Sequence, residues 1–247
     1  MNIISPVKFG LSSHKRRLTD AEKKQYKRDG YVKNLPVFSA EGVAELQALF
    51  QDLAARLPED IDLSSVNMWH KASLKFNELC RNSTILNYVE DIIGPNFYQW
   101  GGQFFTKYPN DGSVVPWHQD AQYWPLKPQR TVTVWLAVFD SDEGNGAMKI
   151  VKGSHNKGIL SHHTNPAPHL ALEQEADADT IDHDKIVTLS LKAGEISLHD
   201  DGTLHGSDAN TSDRVRSGIT MRFCPTNVKC DLDVWPTFEA YMARGVD

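Results

Sequence analysis

Two side chains that could bind a metal ion stand two positions apart in the segment Trp117-His118-Gln119-Asp120. In an extended chain alternate residues project from the same face, so the imidazole of His118 and the carboxylate of Asp120 point in one direction. A second histidine from elsewhere would complete a set of two histidines and one carboxylate, which leaves three positions of the metal open. The chain has ten histidines and short motifs often match by chance, so the pair alone is a weak signal.

A second cluster lies near the C-terminal end, where His205 is followed by Ser207 and, eleven positions after the histidine, by Arg216. This spacing suits a metal ligand at the end of one strand and an anion anchor on the next. Arginine presents a planar, permanently charged fork to a carboxylate, and a serine hydroxyl can donate to the same oxygens. The alternative interpretation is that Arg214 and Arg216 form surface ion pairs, which is the commoner role of arginine.

His199 is a rival for the third ligand position. It ends a predicted strand that contains Ile196 and Leu198, and two aspartates follow it. The spacing to Arg216 favours His205 over His199 as the third ligand.

The elements that must position these side chains change in type along the chain. Helical spacing of apolar residues and N-cap residues predict helices that start near Thr19, over residues 39–57 and over residues 83–93. From residue 97 onward, short segments separated by turns predict strands. One is predicted over residues 103–107, and the clearest is predicted over residues 131–139. Residues 161–184 are predicted to be an insertion or lid.

This order predicts an α+β fold whose core is a β-sandwich or barrel. Nothing in the composition divides the chain, so we expect a single domain over residues 1–247. Its helical N-terminal part covers about residues 1–96, and its β core covers about residues 97–226.

Composition excludes several classes of protein. The 247 residues carry 26 basic and 32 acidic side chains, a net charge of −6 without a basic stripe, which argues against a nucleic-acid partner. Three widely spaced cysteines argue against a disulfide framework, and no apolar segment is long enough to span a bilayer. We therefore expect a cytoplasmic protein with no nucleic-acid partner and no membrane partner; the oligomeric state is not indicated.

A series of further motifs follows in a fixed order along the chain. The segments are Trp117-His118-Gln119-Asp120-Ala121-Gln122-Tyr123-Trp124-Pro125, Val134-Trp135-Leu136-Ala137, Asn145-Gly146, Gly153-Ser154-His155, His205-Gly206-Ser207, Asn210-Thr211-Ser212 and Arg216-Ser217-Gly218. Taken in order, these motifs resemble the phytanoyl-CoA dioxygenase family. The resemblance covers about residues 94–225, and more loosely the N-terminal helices. It implies a double-stranded β-helix core (a jelly roll, cupin-like) and the use of Fe(II), 2-oxoglutarate and O2.

Carried over to this sequence, the family pattern makes His118, Asp120 and His205 the iron ligands and the catalytic residues. Arg216 would bind the distal carboxylate of 2-oxoglutarate, with Ser207 as a helper.

The same pattern implies further contacts around the cosubstrate and the substrate. Gln103 and Trp135 match positions that line the cosubstrate pocket, although packing in the core is a competing explanation for both. Lys71 corresponds loosely to another such position. Tyr123 and Trp124 match the wall of the substrate site in relatives.

The resemblance implies a dioxygenase that hydroxylates an unactivated C–H bond of a small metabolite and releases succinate and CO2. Related halogenases replace the carboxylate ligand with a small residue, so Asp120 favours hydroxylation or desaturation. Two alternatives are a cupin-like metalloenzyme that does not use 2-oxoglutarate and a non-catalytic jelly-roll binding protein. The substrate is not predicted.

Overall fold

A computed structural model describes residues 16–167 and 170–247. The helices of these residues are α1 Asp20–Asp29, α2 Ala40–Ala54, α3 Trp69–Ala72, α4 Leu74–Cys80 and α5 Ser83–Ile93. The strands are β1 Tyr31–Pro36, β2 Phe97–Lys107, β3 Val115–His118, β4 Leu126–Lys127, β5 Val132–Ala137, β6 Lys149–Val151, β7 His162–Thr164, β8 Gln174–Ala176, β9 Ile186–Thr188, β10 Glu195–Asp200, β11 His205–Ser207, β12 Arg216–Pro225, β13 Lys229–Cys230 and β14 Tyr241–Arg244.

The predicted helix starts coincide with N-cap hydrogen bonds. The hydroxyl of Thr19 accepts from the backbone N–H of Glu22, whose side chain accepts from the Thr19 backbone in return, so a capping box begins α1. Ser39 caps α2, and Asn82, one residue before the predicted start, caps α5. Helix α1 ends at Gly30, whose φ of 83° lies in the left-handed region that glycine adopts without strain.

Two antiparallel sheets form the core. The larger has the strand order β1-β10-β5-β12-β2-β14, and the smaller has the order β3-β11-β6-β9. Strands that are neighbours in space are mostly distant in sequence, as in a double-stranded β-helix with helices on one side. The predicted α+β class and jelly-roll core are therefore confirmed.

Alternation along the central strands separates the apolar core from the site. On β5, Val134 and Leu136 pack in the same cluster as the helices, whereas Thr133 and Trp135 face the cavity between the sheets. On β12, Ile219 belongs to the helix-side cluster and the residues on either side of it face the other way. Because side chains in a strand alternate between faces, each central strand carries both a packing role and a site role.

The N-terminal part is not purely helical, and the sheet extends past residue 226. Strand β1 pairs with β10 at one edge, and β14 pairs with β2 at the other. Within the predicted insertion, β7 and β8 form a hairpin. No helix of the described ranges is both long and apolar enough to cross a lipid bilayer.

Candidate metal centre and cosubstrate cavity

The two histidines and the aspartate predicted as metal ligands lie together. His118, the last residue of β3, and His205, the first of β11, are paired directly across the small sheet, and their ring centroids are 4.1 Å apart. Asp120 follows two residues after His118, with its Oδ1 3.7 Å from His118 Nε2. One donor atom from each residue lies within 4.8 Å of the other two, and all three side chains are buried.

Backbone carbonyls fix the orientation of both histidines. His118 Nδ1 lies 2.8 Å from the carbonyl oxygen of Pro116, and His205 Nδ1 lies 2.8 Å from that of Thr203. When Nδ1–H donates to a carbonyl, the lone pair of Nε2 is free to bind a metal. Two such imidazoles and one carboxylate fit iron(II) and leave positions for other ligands.

The electrostatics of the centre favour its deprotonated form. Burial alone would raise the pKa of the Asp120 carboxyl, but the neighbouring imidazoles of His118, His199 and His205 and the charge of Arg222 hold that pKa well below its ordinary value. Burial, followed by the charge of His118, lowers the pKa of His205 well below its ordinary value. A carboxylate and a neutral imidazole are the forms that bind a metal ion.

Gln119, between the two ligands, points away from the centre as the alternation predicts. Its amide donates to the carbonyl oxygens of Gly158 and Gly202 at 2.9 and 2.7 Å, and its Oε1 accepts from the Leu160 N–H at 2.7 Å. It is fully buried. These three bonds fix the turn that carries His118 and Asp120.

His199 lies beside the three ligand candidates. Its Nε2 is 3.7 Å from Asp120 Oδ2, and its ring centroid is 4.8 Å from that of His205. Neither ring nitrogen has a hydrogen-bond partner among the described residues. Thr133, its neighbour on β5, donates its hydroxyl to Asp120 Oδ2 at 3.3 Å.

A cavity of about 690 Å³ lies between the two sheets and reaches the three ligand candidates. All the residues predicted for the site except Lys71 line it: His118, Asp120, His205, Arg216, Ser207, Gln103, Trp135, Tyr123 and Trp124. Lys71 does not, because its ammonium pairs with Glu239 at the surface.

Arg216 is buried and faces this cavity. Its Nε and Nη2 donate to the carbonyl oxygen of Gly146 at 3.1 and 2.8 Å, and its guanidinium carbon lies 5.2 Å from the centroid of the Trp135 ring. Burial lowers its pKa to about 10, so it stays charged at neutral pH. Arg214, by contrast, forms a surface ion pair with Asp142, so the surface interpretation holds for Arg214 alone.

Ser207 and Gln103 differ in what their polar atoms contact. The Ser207 hydroxyl is buried and has no hydrogen-bond partner within the described part of the chain, so it is free to donate to a bound anion. Gln103 donates its amide to the carbonyl oxygen of Ser64 at 2.8 Å, which ties the cavity wall to the segment before α3.

Sequence reasoning missed the roles of Gly218, Thr133 and Arg222. A Cβ at Gly218 would lie 2.1 Å from the Trp135 ring, so only glycine allows this tryptophan to lie across β12 beneath Arg216. A signal was present, because alternation along β12 places Arg216, Gly218, Thr220 and Arg222 on one face.

Comparisons with known proteins agree with this geometry. The family model described as phytanoyl-CoA dioxygenase (PhyH) matches residues 26–218. An ectoine dioxygenase of Bordetella parapertussis is 25% identical over 241 residues, which covers 87% of this chain and 78% of the relative. The peroxisomal phytanoyl-CoA dioxygenase of Bos taurus is 29% identical over 160 residues, 60% of this chain and 45% of the relative.

A solved structure described as the non-heme monooxygenase ThoJ, in its apo form, superimposes with a TM-score of 0.75. It is 25% identical, and the match covers 91% of this chain and 84% of that one. The family match spans both strands that carry the histidines and the start of β12. The chain therefore belongs to the phytanoyl-CoA dioxygenase family of iron(II)- and 2-oxoglutarate-dependent oxygenases.

Proposed function

We propose that the protein hydroxylates an unactivated C–H bond of a small-molecule metabolite, with iron(II) held by His118, Asp120 and His205. In this reaction 2-oxoglutarate and O2 are consumed, and succinate and CO2 are released. The observation that supports it best is the buried set of three donors, with both histidines oriented by backbone carbonyls, opening into a cavity that also contains Arg216.

Arg216 is assigned to the distal carboxylate of 2-oxoglutarate. Its bonds to Gly146 and its stacking on Trp135 hold the guanidinium plane in place before the cosubstrate arrives. A fixed fork loses little freedom when it binds a carboxylate, and the partnerless hydroxyl of Ser207 can add a further bond.

Bound iron would supply the activation of O2, coupled to oxidative decarboxylation of 2-oxoglutarate. The side chains of this chain supply the rest. The carbonyls of Pro116 and Thr203 keep the histidine protons on Nδ1, and Thr133 holds Asp120 by a hydrogen bond. The three ligand side chains are themselves buried, so only their cavity-facing atoms can be reached from the site.

The substrate is assigned to the part of the cavity that Tyr123 and Trp124 line. The Tyr123 hydroxyl donates to the carbonyl oxygen of Gln174 at 3.0 Å, which joins this wall to the β7–β8 hairpin. The volume fits a small molecule. The names of two relatives, an ectoine dioxygenase and a phytanoyl-CoA dioxygenase, specify substrates of very different size, so they leave the substrate of this chain open.

The test is succinate formation from 2-oxoglutarate in the presence of Fe(II), O2 and a panel of metabolites. We expect the wild type to form succinate, with an increase when a substrate is present, and the His118→Ala variant to form none above the blank. Turnover of a metabolite without added 2-oxoglutarate would favour a metalloenzyme of another class. The proposal would be contradicted if no succinate formed with any metabolite of the panel and none formed in the absence of a metabolite.

A further inference from the structure

A second buried arginine, Arg222, faces the cavity without an anionic partner. It is 8% exposed, its Nε has no hydrogen-bond partner, and no ion pair joins its guanidinium to any other residue of 16–167 or 170–247. A buried guanidinium without a counter-ion is costly, since its charge has left water without compensation. A ligand that supplies a negative charge would give this guanidinium the bonded counter-ion that the described residues do not.

Two tryptophans hold this guanidinium in place. The Arg222 guanidinium carbon lies 5.2 Å from the centroid of the Trp124 ring and 5.6 Å from that of Trp100, and the two rings meet edge to face with centroids 4.6 Å apart. Gly101 opposite it on β2 leaves room, because a Cβ there would lie 3.0 Å from Arg222 Cδ. Aromatic contacts orient a cation but do not neutralise it.

Arg222 and Arg216 serve opposite ends of one cavity. Both lie on the same face of β12, six residues apart, which separates their backbones by roughly 20 Å at about 3.4 Å per residue. The five-carbon chain of 2-oxoglutarate is much shorter than this. Arg216 lies beside Trp135, whereas Arg222 lies beside Trp124, at the end assigned to the substrate.

The acidic side chain that acts on Arg222 is one of the residues assigned to the iron. Arg222 lies opposite Thr133 in the register of β12 and β5, and Thr133 donates a hydrogen bond to Asp120. The Asp120 carboxylate is therefore the acidic group whose charge acts on the Arg222 guanidinium. Asp120 is assigned to the iron, and a bound divalent cation would neutralise it. Arg222 would then face the cavity with its charge uncompensated.

We propose that Arg222 binds a carboxylate of the substrate, so the substrate is a small organic acid with an apolar body that packs on Trp100 and Trp124. A single fork without a second basic side chain beside it matches a monocarboxylate better than a phosphate dianion. This inference rests on the proposed function, because it places the substrate next to the iron centre.

The test uses the enzyme loaded with Fe(II) and 2-oxoglutarate without oxygen, and two matched pairs of probes. These are 3-phenylpropionate with 3-phenylpropanamide and hexanoate with hexanamide. Binding is followed by tryptophan fluorescence and by the change in the visible charge-transfer band. In the wild type we expect each acid to bind about tenfold or more tighter than its amide, the value of a charge-assisted hydrogen bond.

Arg222→Gln should remove this preference by weakening the acids and leaving the amides unchanged, and Arg222→Lys should keep part of it. Arg214→Gln, at the surface, is the matched control and should behave as the wild type. Equal binding of acid and amide by the wild type, or no binding of either, would overturn the inference, as would an Arg222→Gln variant that keeps the preference.

A further result would show whether Arg222 binds the carboxylate of the substrate or that of 2-oxoglutarate. If Arg222→Gln weakens the binding of 2-oxoglutarate itself and leaves the acid preference intact, Arg222 serves the cosubstrate and the substrate assignment is wrong. If the wild type forms no charge-transfer band with Fe(II) and 2-oxoglutarate, the proposed function fails first and this inference fails with it. If the band forms but the wild type binds acids no tighter than amides, the inference is contradicted and the proposed function is not.

Discussion

A substitution at Arg216 tests directly whether this side chain binds 2-oxoglutarate. Its Nε and Nη2 donate to the carbonyl oxygen of Gly146, its Nη1 donates weakly to that of Phe105 at 3.4 Å, and the side chain lines the cavity. We expect Arg216→Ala to raise the KM for 2-oxoglutarate about 100-fold, because a buried charge pair is lost. The KM of Arg216→Lys should lie between those of the wild type and Arg216→Ala, because an ammonium keeps the charge but lacks the planar fork.

The measurement is uncoupled succinate formation at varied 2-oxoglutarate concentration, with Arg214→Gln as the exposed control. An unchanged KM in Arg216→Ala would remove Arg216 from the cosubstrate site.

Lys107 is a buried base whose role is structural. Its ammonium donates to the carbonyl oxygens of Ser113 and Ser207 at 2.9 and 3.2 Å, and to that of Asp208. Burial, followed by the charge of Arg216, lowers its pKa to about 7. With its donors used within the protein, Lys107 positions the Ser207 segment and does not compete for a cavity anion.

This lowered pKa predicts how stability changes with pH. The unfolded lysine has a pKa of about 10.4, so between about pH 7 and pH 10 the unfolded chain binds more protons than the folded protein. The free energy of unfolding should therefore rise with pH through this window, by at most about 1.4 kcal/mol per pH unit from this group. Lys107→Met should remove that contribution to the slope. Urea unfolding at pH 7 and pH 9 measures it, and identical slopes in both proteins would contradict the assignment.

At the residue scale, local sequence pattern was sufficient to predict the metal ligands but not the residues that surround them. His118 and Asp120 are two positions apart, and His205 lies eleven positions before Arg216, so both signals lie in contiguous sequence. Thr133 and Arg222 act through their positions opposite each other on β5 and β12. That pairing depends on the register of strands far apart in sequence, which composition and alternation do not specify.

Strand β12 is the element on which the cosubstrate site depends most. Gly218 lets Trp135 lie flat across the strand, and Trp135 supports Arg216. We expect Gly218→Ala to displace Trp135, lower the free energy of unfolding by about 1–3 kcal/mol through overpacking, and raise the KM for 2-oxoglutarate.

The matched control is Gly144→Ala, where a Cβ would meet only ordinary contacts of 3.4 Å or more. Thermal unfolding and the 2-oxoglutarate titration check both proteins. A Gly218→Ala variant that matches the wild type in both would show that the close approach has no functional role.

Element types were predictable where the pattern was strong, and element ends were not. Alternation over residues 131–139 identified β5, and capping residues identified α1 and α2. Strand β2 begins at Phe97, several residues before the predicted Gln103, because pairing with β12 extends it. Strand β1 was missed because it lies between two helices and joins the sheet only through β10.

For the whole molecule, we propose that residues 16–247 form one domain. A single apolar cluster includes Leu46 of α2, Ile85 of α5 and the helix-facing residues of the large sheet. The helices therefore cover one face of the sheet whose other face carries the site.

The proposal predicts one cooperative unfolding transition. Leu46→Ala creates a cavity in the shared core and should lower the free energy of unfolding by about 2–5 kcal/mol. Helical circular dichroism and tryptophan fluorescence should shift together. The exposed Gln51→Ala on the same helix should change stability by less than about 0.5 kcal/mol. Separate transitions for the two signals would indicate two units.

The central claim is that His118, Asp120 and His205 hold iron(II) beside a site for 2-oxoglutarate. Anaerobic titration of the wild type with Fe(II) and 2-oxoglutarate tests it most directly, by the visible charge-transfer band that forms when the keto acid binds the metal. We predict a band that saturates at one iron per chain and is absent from His118→Ala and His205→Ala, while His199→Ala retains it. A wild type without the band, or a band that survives in both of the first two variants, would contradict the claim.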